Sequence, residues 1–421
     1  MRALRFLLLV ALLPSLLHAV DPTIGWDVRP ADPRGGIVAA EARAFEAAAV
    51  SWSATREIAI RVRVPGGEWI EPLLDDDLTS AADGRWFTGI VHFGAPQSTL
   101  EYAFDAPEGV RDLRVTLFVP PEPRREVLDA VAPTSIGALG IVSRTQWGCP
   151  DGQNYRGTPA YTNVTHVIVH HTAGSNTLTD WAAEVRNIWY YHTGSNGWDD
   201  VGYHWLIDPN GVIYEGRAGG HGVIGAHFSC RNSNTAGIAL LGTFTSVAPT
   251  EAALAALTRL TGEVTARWGI APGAFVYHAP SKLNLQTVSG HRDGNTGDTC
   301  TVTECPGDRL FSYLPVMRSA LASCEHVAFA TTPDPVAITA GGSTVLRADV
   351  AGTGPFTYQW YAGAPGDVSG AIAGATGDSI TVSPTAGASY WVRVANVCGA
   401  ADSPAFVVTM GERPRGRFVR R

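Results

Sequence analysis

Residues 289–308 read SGHRDGNTGDTCTVTECPGD, and residues 165–172 read THVIVHHT. The first stretch holds His291 and Cys305, with Thr303 two residues before that cysteine and Pro306-Gly307 closing the turn. The second is a β-branched apolar run, the pattern of a buried strand, and it ends on His170 and His171. His170, His291 and Cys305 together make a ligand set for zinc. That ion accepts imidazole nitrogen and thiolate sulfur, and in catalytic sites it keeps three protein ligands and an open fourth position. A strand end would hold one ligand rigidly. Pro-Gly after Cys305 stops the backbone continuing as strand and turns it toward a helix. Spacing alone does not make such a site, because a lone histidine is more often a core or surface residue. On composition, His192, His204, His221, His227 and His278 are alternative ligands. His171 points to the opposite strand face from His170 and reads as packing.

Around these residues the blocks VIVHHTA, GWDDVGYHWLIDPNGVIYEGR, GAHFSCRNSNTAGIALLGTF, GHRD and TECPGD follow one another between residues 141 and 323. This succession resembles the peptidoglycan recognition proteins and related zinc-dependent N-acetylmuramoyl-L-alanine amidases. The resemblance implies an α/β domain, a mixed β-sheet covered by helices, with Zn2+ held by His170, His291 and Cys305. It implies catalytic roles for Tyr203, in the GYH block, and for Thr303. Its substrate groove, for peptidoglycan or muropeptides, would be lined by His227, Asn232, Trp198 and Arg217, with Asp199 beside them. The reaction implied is hydrolysis of the amide between N-acetylmuramic acid and L-alanine. Members of the family that only bind peptidoglycan typically lack the cysteine, which this chain has. The alternative readings are a non-catalytic peptidoglycan-binding protein and a zinc hydrolase acting on another amide. The loop between His291 and Cys305 is longer than the family's and carries an extra Cys300.

At 421 residues the chain is too long for one ordinary domain. Its hydrophobic content of 45% and charged content of 17% suit packed globular units rather than disorder. With 31 basic and 39 acidic residues the formal charge is −8, which argues against a nucleic-acid partner. Met1–Ala19 reads as a secretory signal peptide, with Arg2 and Arg5, an apolar stretch from Phe6 to Leu17, and Leu17-His18-Ala19 as cleavage site. That stretch is short for a membrane span. The expectation is a secreted monomer, extracellular or periplasmic, that does not span the membrane after cleavage.

Residues 20–125 read as an N-terminal β-sandwich-like domain, with Ile58, Ile60, Val62 and Val64 alternating with polar neighbours. Strands are expected at 86–93, 100–104 and 113–119. Residues 126–137, in a Pro-rich segment, read as a linker, and residues 138–324 form the amidase unit. Within it Asp180 and Thr250 are candidate helix caps, and Pro306 is expected to open a final helix through about Ala322. Residues 325–410 contain YQWY and YWVRVANVCG, which resemble bacterial immunoglobulin-like modules with Trp360 in the core. Residues 411–421 form a basic tail. Cysteines of a secreted protein are mostly paired. Cys324 and Cys398 bracket the C-terminal module and read as a pair, whereas Cys149, Cys230 and Cys300 leave the remaining pairing open. Neither flank offers a candidate ligand, so the central unit is expected to fold and act without them.

Overall fold

The computed structural model describes residues 25–40, 44–75, 78–79, 84–119, 139–295 and 302–411. The signal-peptide reading, the linker, Cys300 and the tail from residue 412 lie outside the described residues.

The central unit is built on five strands: β1 His166–His171, β2 Trp205–Ile207, β3 Ile213–Glu215, β4 Thr235–Leu240 and β5 Val288–Gly290. Their order is β3-β2-β4-β1-β5. β2, β4, β1 and β5 run parallel to their neighbours, and only β3, returning through the Asp208–Gly211 turn, is antiparallel. Every residue of β1 and β4 is buried, which is why both read as continuous apolar runs rather than alternating ones. Val167 and Val169 face a core that includes helix α2, Glu251–Trp268. Ile168 faces the other side, beside Phe228 and Leu285, and strand alternation puts His170 on that same side.

Helix α1, Trp181–Tyr190, begins where Asp180 Oδ1 accepts from the Ala183 amide at 2.8 Å. α2 begins where Thr250 Oγ1 accepts from the Ala253 amide at 3.1 Å, and it ends on Gly269 in the left-handed region. The helix expected after Pro306 is two pieces, α3 Asp308–Phe311 and α4 Leu314–Ala322. Pro315 has no amide hydrogen to extend the preceding turn, so a new helix starts there.

Before the sheet, strands Gly25–Pro30, Arg111–Val119, Phe45–Ser53 and Arg85–Phe87 pair in that order, with Val91–Gln97 also on Phe45–Ser53. A three-stranded sheet of Gly36–Ala39, Thr99–Phe104 and Ile60–Arg63 shares a core with them. The run expected at 86–93 is thus two strands, broken around Gly89.

Phe45–Ser53 and Arg111–Val119 are buried on both faces, and the two faces have different destinations. Ala48, Val50, Trp52, Val115 and Leu117 fill the unit's own core. Ala47, Ala49 and Phe118 instead join Trp181, Val185, Ile188 and Tyr191 in a second apolar cluster that spans both units. The edge-on rings of Phe87 and Phe118 lie 5.9 and 6.2 Å from Tyr191, whose hydroxyl donates to the Val50 carbonyl at 3.3 Å. The first helix of the central unit is thus packed by its N-terminal flank.

The C-terminal residues form a sheet of Val336–Ile338, Phe406–Met410, Ala388–Asn396 and Thr357–Ala362, with Gly399–Asp402 on its edge. Two short strand pairs add Thr344–Arg347 with Ser379–Val382 and Ala328–Phe329 with Val350–Ala351. Trp360 is fully buried among Val392, Val394 and Phe406. Cys324 and Cys398 form a disulfide, as expected. Cys230 is also disulfide-bonded, and Cys149 is a buried free thiol whose pKa burial pushes up to about 12.

At Gly89 the N-terminal unit comes close to the turn after β1. A Cβ on Gly89 would lie 2.6 Å from the Ala173 carbonyl oxygen, and its amide donates to Leu73 at 2.8 Å. Gly89→Ala should therefore force backbone from backbone and cost about 1–3 kcal/mol, the range of overpacked sites. Urea unfolding of the full chain would show it as a lowered midpoint; an unchanged midpoint would mean that the two units are not pressed together here.

Candidate metal centre

Parallel pairing assembles the site. In the β1–β5 register Val288, Ser289 and Gly290 lie beside Val167, Ile168 and Val169, so the next residue on each strand is a histidine. His170 and His291 accordingly have ring centroids 4.8 Å apart. Cys305 comes from the turn before α3, and its Sγ lies 3.6 Å from His170 Nδ1. One ligand atom from each of the three lies within 4.8 Å of the others, and all three residues are buried. The backbone around the thiol is pinned. The His171 amide points at Cys305 Sγ at 3.4 Å, and the Arg292 amide donates to the Cys305 carbonyl at 2.8 Å. Arg292 also pairs with Asp308 at 2.6 Å. Gly307 follows with φ of 85°, where any side chain would meet the Phe244 backbone.

The donor set fits a tetrahedral metal with nitrogen and sulfur ligands. A second observation supports the fit: His170 Nε2 is 3.0 Å from His227 Nδ1, which leaves Nδ1 on the Cys305 side. An outer hydrogen bond that sets the orientation of a ligating imidazole is the usual support of a metal-binding histidine.

The remaining expected site residues divide. Tyr203 is close to the trio, with its ring 5.3 Å from His170 and 5.7 Å from His192, and it is 2% exposed. Thr303 acts on the loop, accepting from the Cys305 amide at 2.8 Å, while its own amide and carbonyl are held by Asn295.

The four residues read as groove contacts are otherwise engaged. His227 is 1% exposed, and its Nδ1 lies 3.0 Å from His170 Nε2. Asn232 Oδ1 accepts from the His227 and Phe228 amides, both at 2.7 Å, so it shapes the turn that carries His227. Trp198 is half-buried against the His192 ring at 5.0 Å. Arg217 is buried, donating to the Val201 carbonyl at 3.0 Å and to the Tyr155 hydroxyl at 2.8 Å. His171 is on the opposite face, as strand alternation requires, and its Nδ1 accepts from the Phe244 amide at 3.3 Å.

Two supports were not read from the sequence. The buried Arg144–Asp200 pair, 3.0 Å apart, anchors the loop that leads to Tyr203: Asp200 also accepts from the Val201 and Ala218 amides. The other is the single π-turn Tyr191–Ser195 that ends α1. It delivers His192, whose Nδ1 accepts from the Gly202 amide at 2.9 Å, one residue before Tyr203. A π-turn frequently marks a functional site, and the WYYHTGSNGW wording carries no simple periodic sign of it.

Among known proteins, the family profile described as N-acetylmuramoyl-L-alanine amidase matches residues 160–308, which span all three candidate ligands. Peptidoglycan-recognition protein SC2 of Drosophila simulans is 33% identical over 176 residues, 41% of this chain and 84% of that protein. The N-acetylmuramoyl-L-alanine amidase of Homo sapiens is 33% identical over 185 residues, 42% of this chain but only 28% of the human protein. A solved structure, Drosophila PGRP-LB, is similar at 28% identity and a TM-score of 0.33 over 41% of this chain and 90% of that one. The chain belongs to the family of peptidoglycan-recognition proteins and N-acetylmuramoyl-L-alanine amidases. No helix among the described residues is long and apolar enough to cross a membrane.

Two histidines around the sheet are kept neutral by burial. His204 and His166 are both held at about 4, below the usual 6.5. His166 sits against the His278 ring at 5.0 Å, and its Nδ1 is 2.8 Å from Thr165 Oγ1. The unfolded chain takes up these protons near 6.5 and the folded chain only near 4. Their stabilisation is therefore complete above 6.5 and is lost as the pH falls through 4. Urea midpoints measured from pH 7 to 4 should fall, and His166→Phe should reduce that slope; an identical slope in the variant would remove His166 from the account.

Proposed function

We propose that the chain is a secreted zinc-dependent N-acetylmuramoyl-L-alanine amidase that cleaves the amide between N-acetylmuramic acid and L-alanine in peptidoglycan. The observation that carries this reading is the buried trio His170, His291 and Cys305, with its thiol present and ligand atoms within 4.8 Å of one another. Zinc held there would supply Lewis-acid polarisation of the scissile carbonyl and an activated water.

The chain's own residues do the rest. His227 orients the His170 ring, and Thr303 holds the Cys305 loop through the 2.8 Å bond to its amide. Tyr203 donates its hydroxyl proton into a hydrogen bond with the oxyanion that develops as the amide carbonyl is attacked. Buried surroundings strengthen that contact, because little water competes for it. Muropeptides are the substrate, and the protein acts as a monomer outside the cytoplasm. The N-terminal unit serves as a β-sandwich and residues 325–410 as an immunoglobulin-like module. The rival reading is a peptidoglycan-binding protein without catalysis, and Cys305 is the residue that disfavours it.

Zinc analysis of the purified chain should give one ion. Cys305→Ala should lose both the ion and hydrolysis of a purified muropeptide while keeping the far-ultraviolet spectrum of the parent. A wild-type chain that binds muropeptide and never cleaves it would establish the rival. Tyr203→Phe should lower kcat by about 100-fold, the scale of one lost oxyanion donor, with KM and zinc content nearly unchanged. An unchanged kcat would retire the catalytic role and leave Tyr203 as a packing residue.

A further inference from the structure

Next to Tyr203 lies a small cavity of about 10 Å3, and its walls come from two units. Thr172, Glu184, His192 and Tyr203 belong to the central unit, whereas Asp75 and Ile90 come from the N-terminal one. That volume suits one water, and a buried water requires two to four polar partners, which this lining supplies. Asp75 is 8% exposed and firmly placed by its own unit. Its Oδ1 accepts from the Leu78 amide at 3.0 Å, its carbonyl from the Thr79 amide at 2.8 Å, and its amide donates to the Phe87 carbonyl at 2.9 Å. Capping that turn does not require burial, since an exposed aspartate caps equally well. Burying a carboxylate in a cavity costs free energy unless donors meet it there. Three hydroxyl-bearing residues, Thr172, Tyr191 and Tyr203, share the lining with His192 and the Glu184 carboxylate. The Tyr191 hydroxyl donates to the Val50 carbonyl, and His192 carries its proton on Nε2 because Nδ1 accepts from the Gly202 amide, so Tyr203, Thr172 and His192 are the donors the cavity offers Asp75.

We propose that Asp75 is a positioning residue for the reaction: from the N-terminal unit it holds Tyr203, directly or through the one water the cavity admits, in the orientation that meets the oxyanion. The inference rests on the amidase reading of Tyr203. The seating is precise enough for the task. Gly89 brings the N-terminal backbone against Ala173, two residues after the metal-trio strand ends, and the cluster around Tyr191 and Phe87 fixes the same approach from the other side. Thr116 Oγ1 and Ser195 Oγ, 2.8 Å apart, tie the N-terminal sheet to the π-turn that carries His192. The N-terminal unit is then part of the active site and not an appendage to it. Truncation at the linker would remove a component of the catalytic apparatus.

The test is a double-mutant cycle in the full chain with Asp75→Asn and Tyr203→Phe. Asparagine keeps an acceptor for the Leu78 amide, so the turn stays capped while the carboxylate is lost. Asp75→Asn should lower kcat roughly tenfold with KM little changed, a coupling of ordinary size for residues in contact. In the Tyr203→Phe background the same substitution should change kcat less than about twofold, because the group it positions has gone. The urea midpoints of the four proteins should be non-additive in the same sense. The proposal is overturned if Asp75→Asn leaves kcat unchanged or costs the same factor with and without the Tyr203 hydroxyl. It is equally overturned if the substitution raises kcat, which would make the N-terminal unit an obstruction. If the wild-type chain hydrolyses no muropeptide, the amidase reading fails by itself. The urea cycle then decides: non-additive midpoints keep Asp75 as the partner that places Tyr203, and additive ones remove it.

Discussion

The parallel pairing of Val288–Gly290 with Val167–Val169 is the constraint on which the candidate site depends. It is a three-residue ladder, yet it converts two histidines far apart in sequence into neighbours at the carboxyl ends of adjacent strands. Ligand sites of open α/β sheets gather at that edge, because the chain leaves each strand there and is free to turn over its neighbour. A one-residue slip would move His291 out of step with His170 and also turn Val288 out of the α2-facing core. The core therefore protects the geometry of the site: the same register serves both.

Above that ladder the order of events along the chain supplies the remaining parts. The turn after β5 is held by Asp293, whose Oδ2 accepts from the Gly290 amide at 2.9 Å. Cys305 then returns on a loop tied to Arg292, Thr303 and the β1 backbone, so the thiol is placed by at least three separate contacts. Behind the trio lie His227 and Thr235, 3.3 Å apart, which carry the support into β4. The trio is thus braced from the β4 side.

Much of this was legible in the sequence, and what escaped did so for physical reasons. The apolar β-branched run before His170 announced a buried strand, and Asp180 and Thr250 marked helix starts through chemistry local to their own turns. His170, His291 and Cys305 stood out because few residue types bind a soft metal. The groove residues were harder, since His227 and Asn232 look alike on paper whether they face a ligand or a neighbouring side chain. Their burial is a property of the whole fold, which no local pattern carries. Asp75 was hidden for the same reason: LLDDD reads as a polar turn, and only packing shows one of its acids beside Tyr203. A clue did exist in FEAAAVSW, apolar on both faces where a strand with one solvated face should alternate. The small alanines are what let the first helix of the central unit come close.

The disulfide between Cys324 and Cys398 holds the C-terminal module by one end, and Gly262 shows how closely the module then lies on α2. A side-chain carbon there would stand 2.3 Å from the Val397 carbonyl, so this helix interior carries the residue that weakens helices by about 1 kcal/mol relative to alanine. The module repairs the weakness that admits it, because its backbone shields the bare peptide groups from solvent. Hydrogen exchange would make the dependence visible, because the amides of α2 around Gly262 would owe part of their protection from water to a module distant from them in sequence. The helix that backs the central sheet is in this sense completed by its neighbour, and loosening the C-terminal module would be felt first as local fraying in the middle of α2.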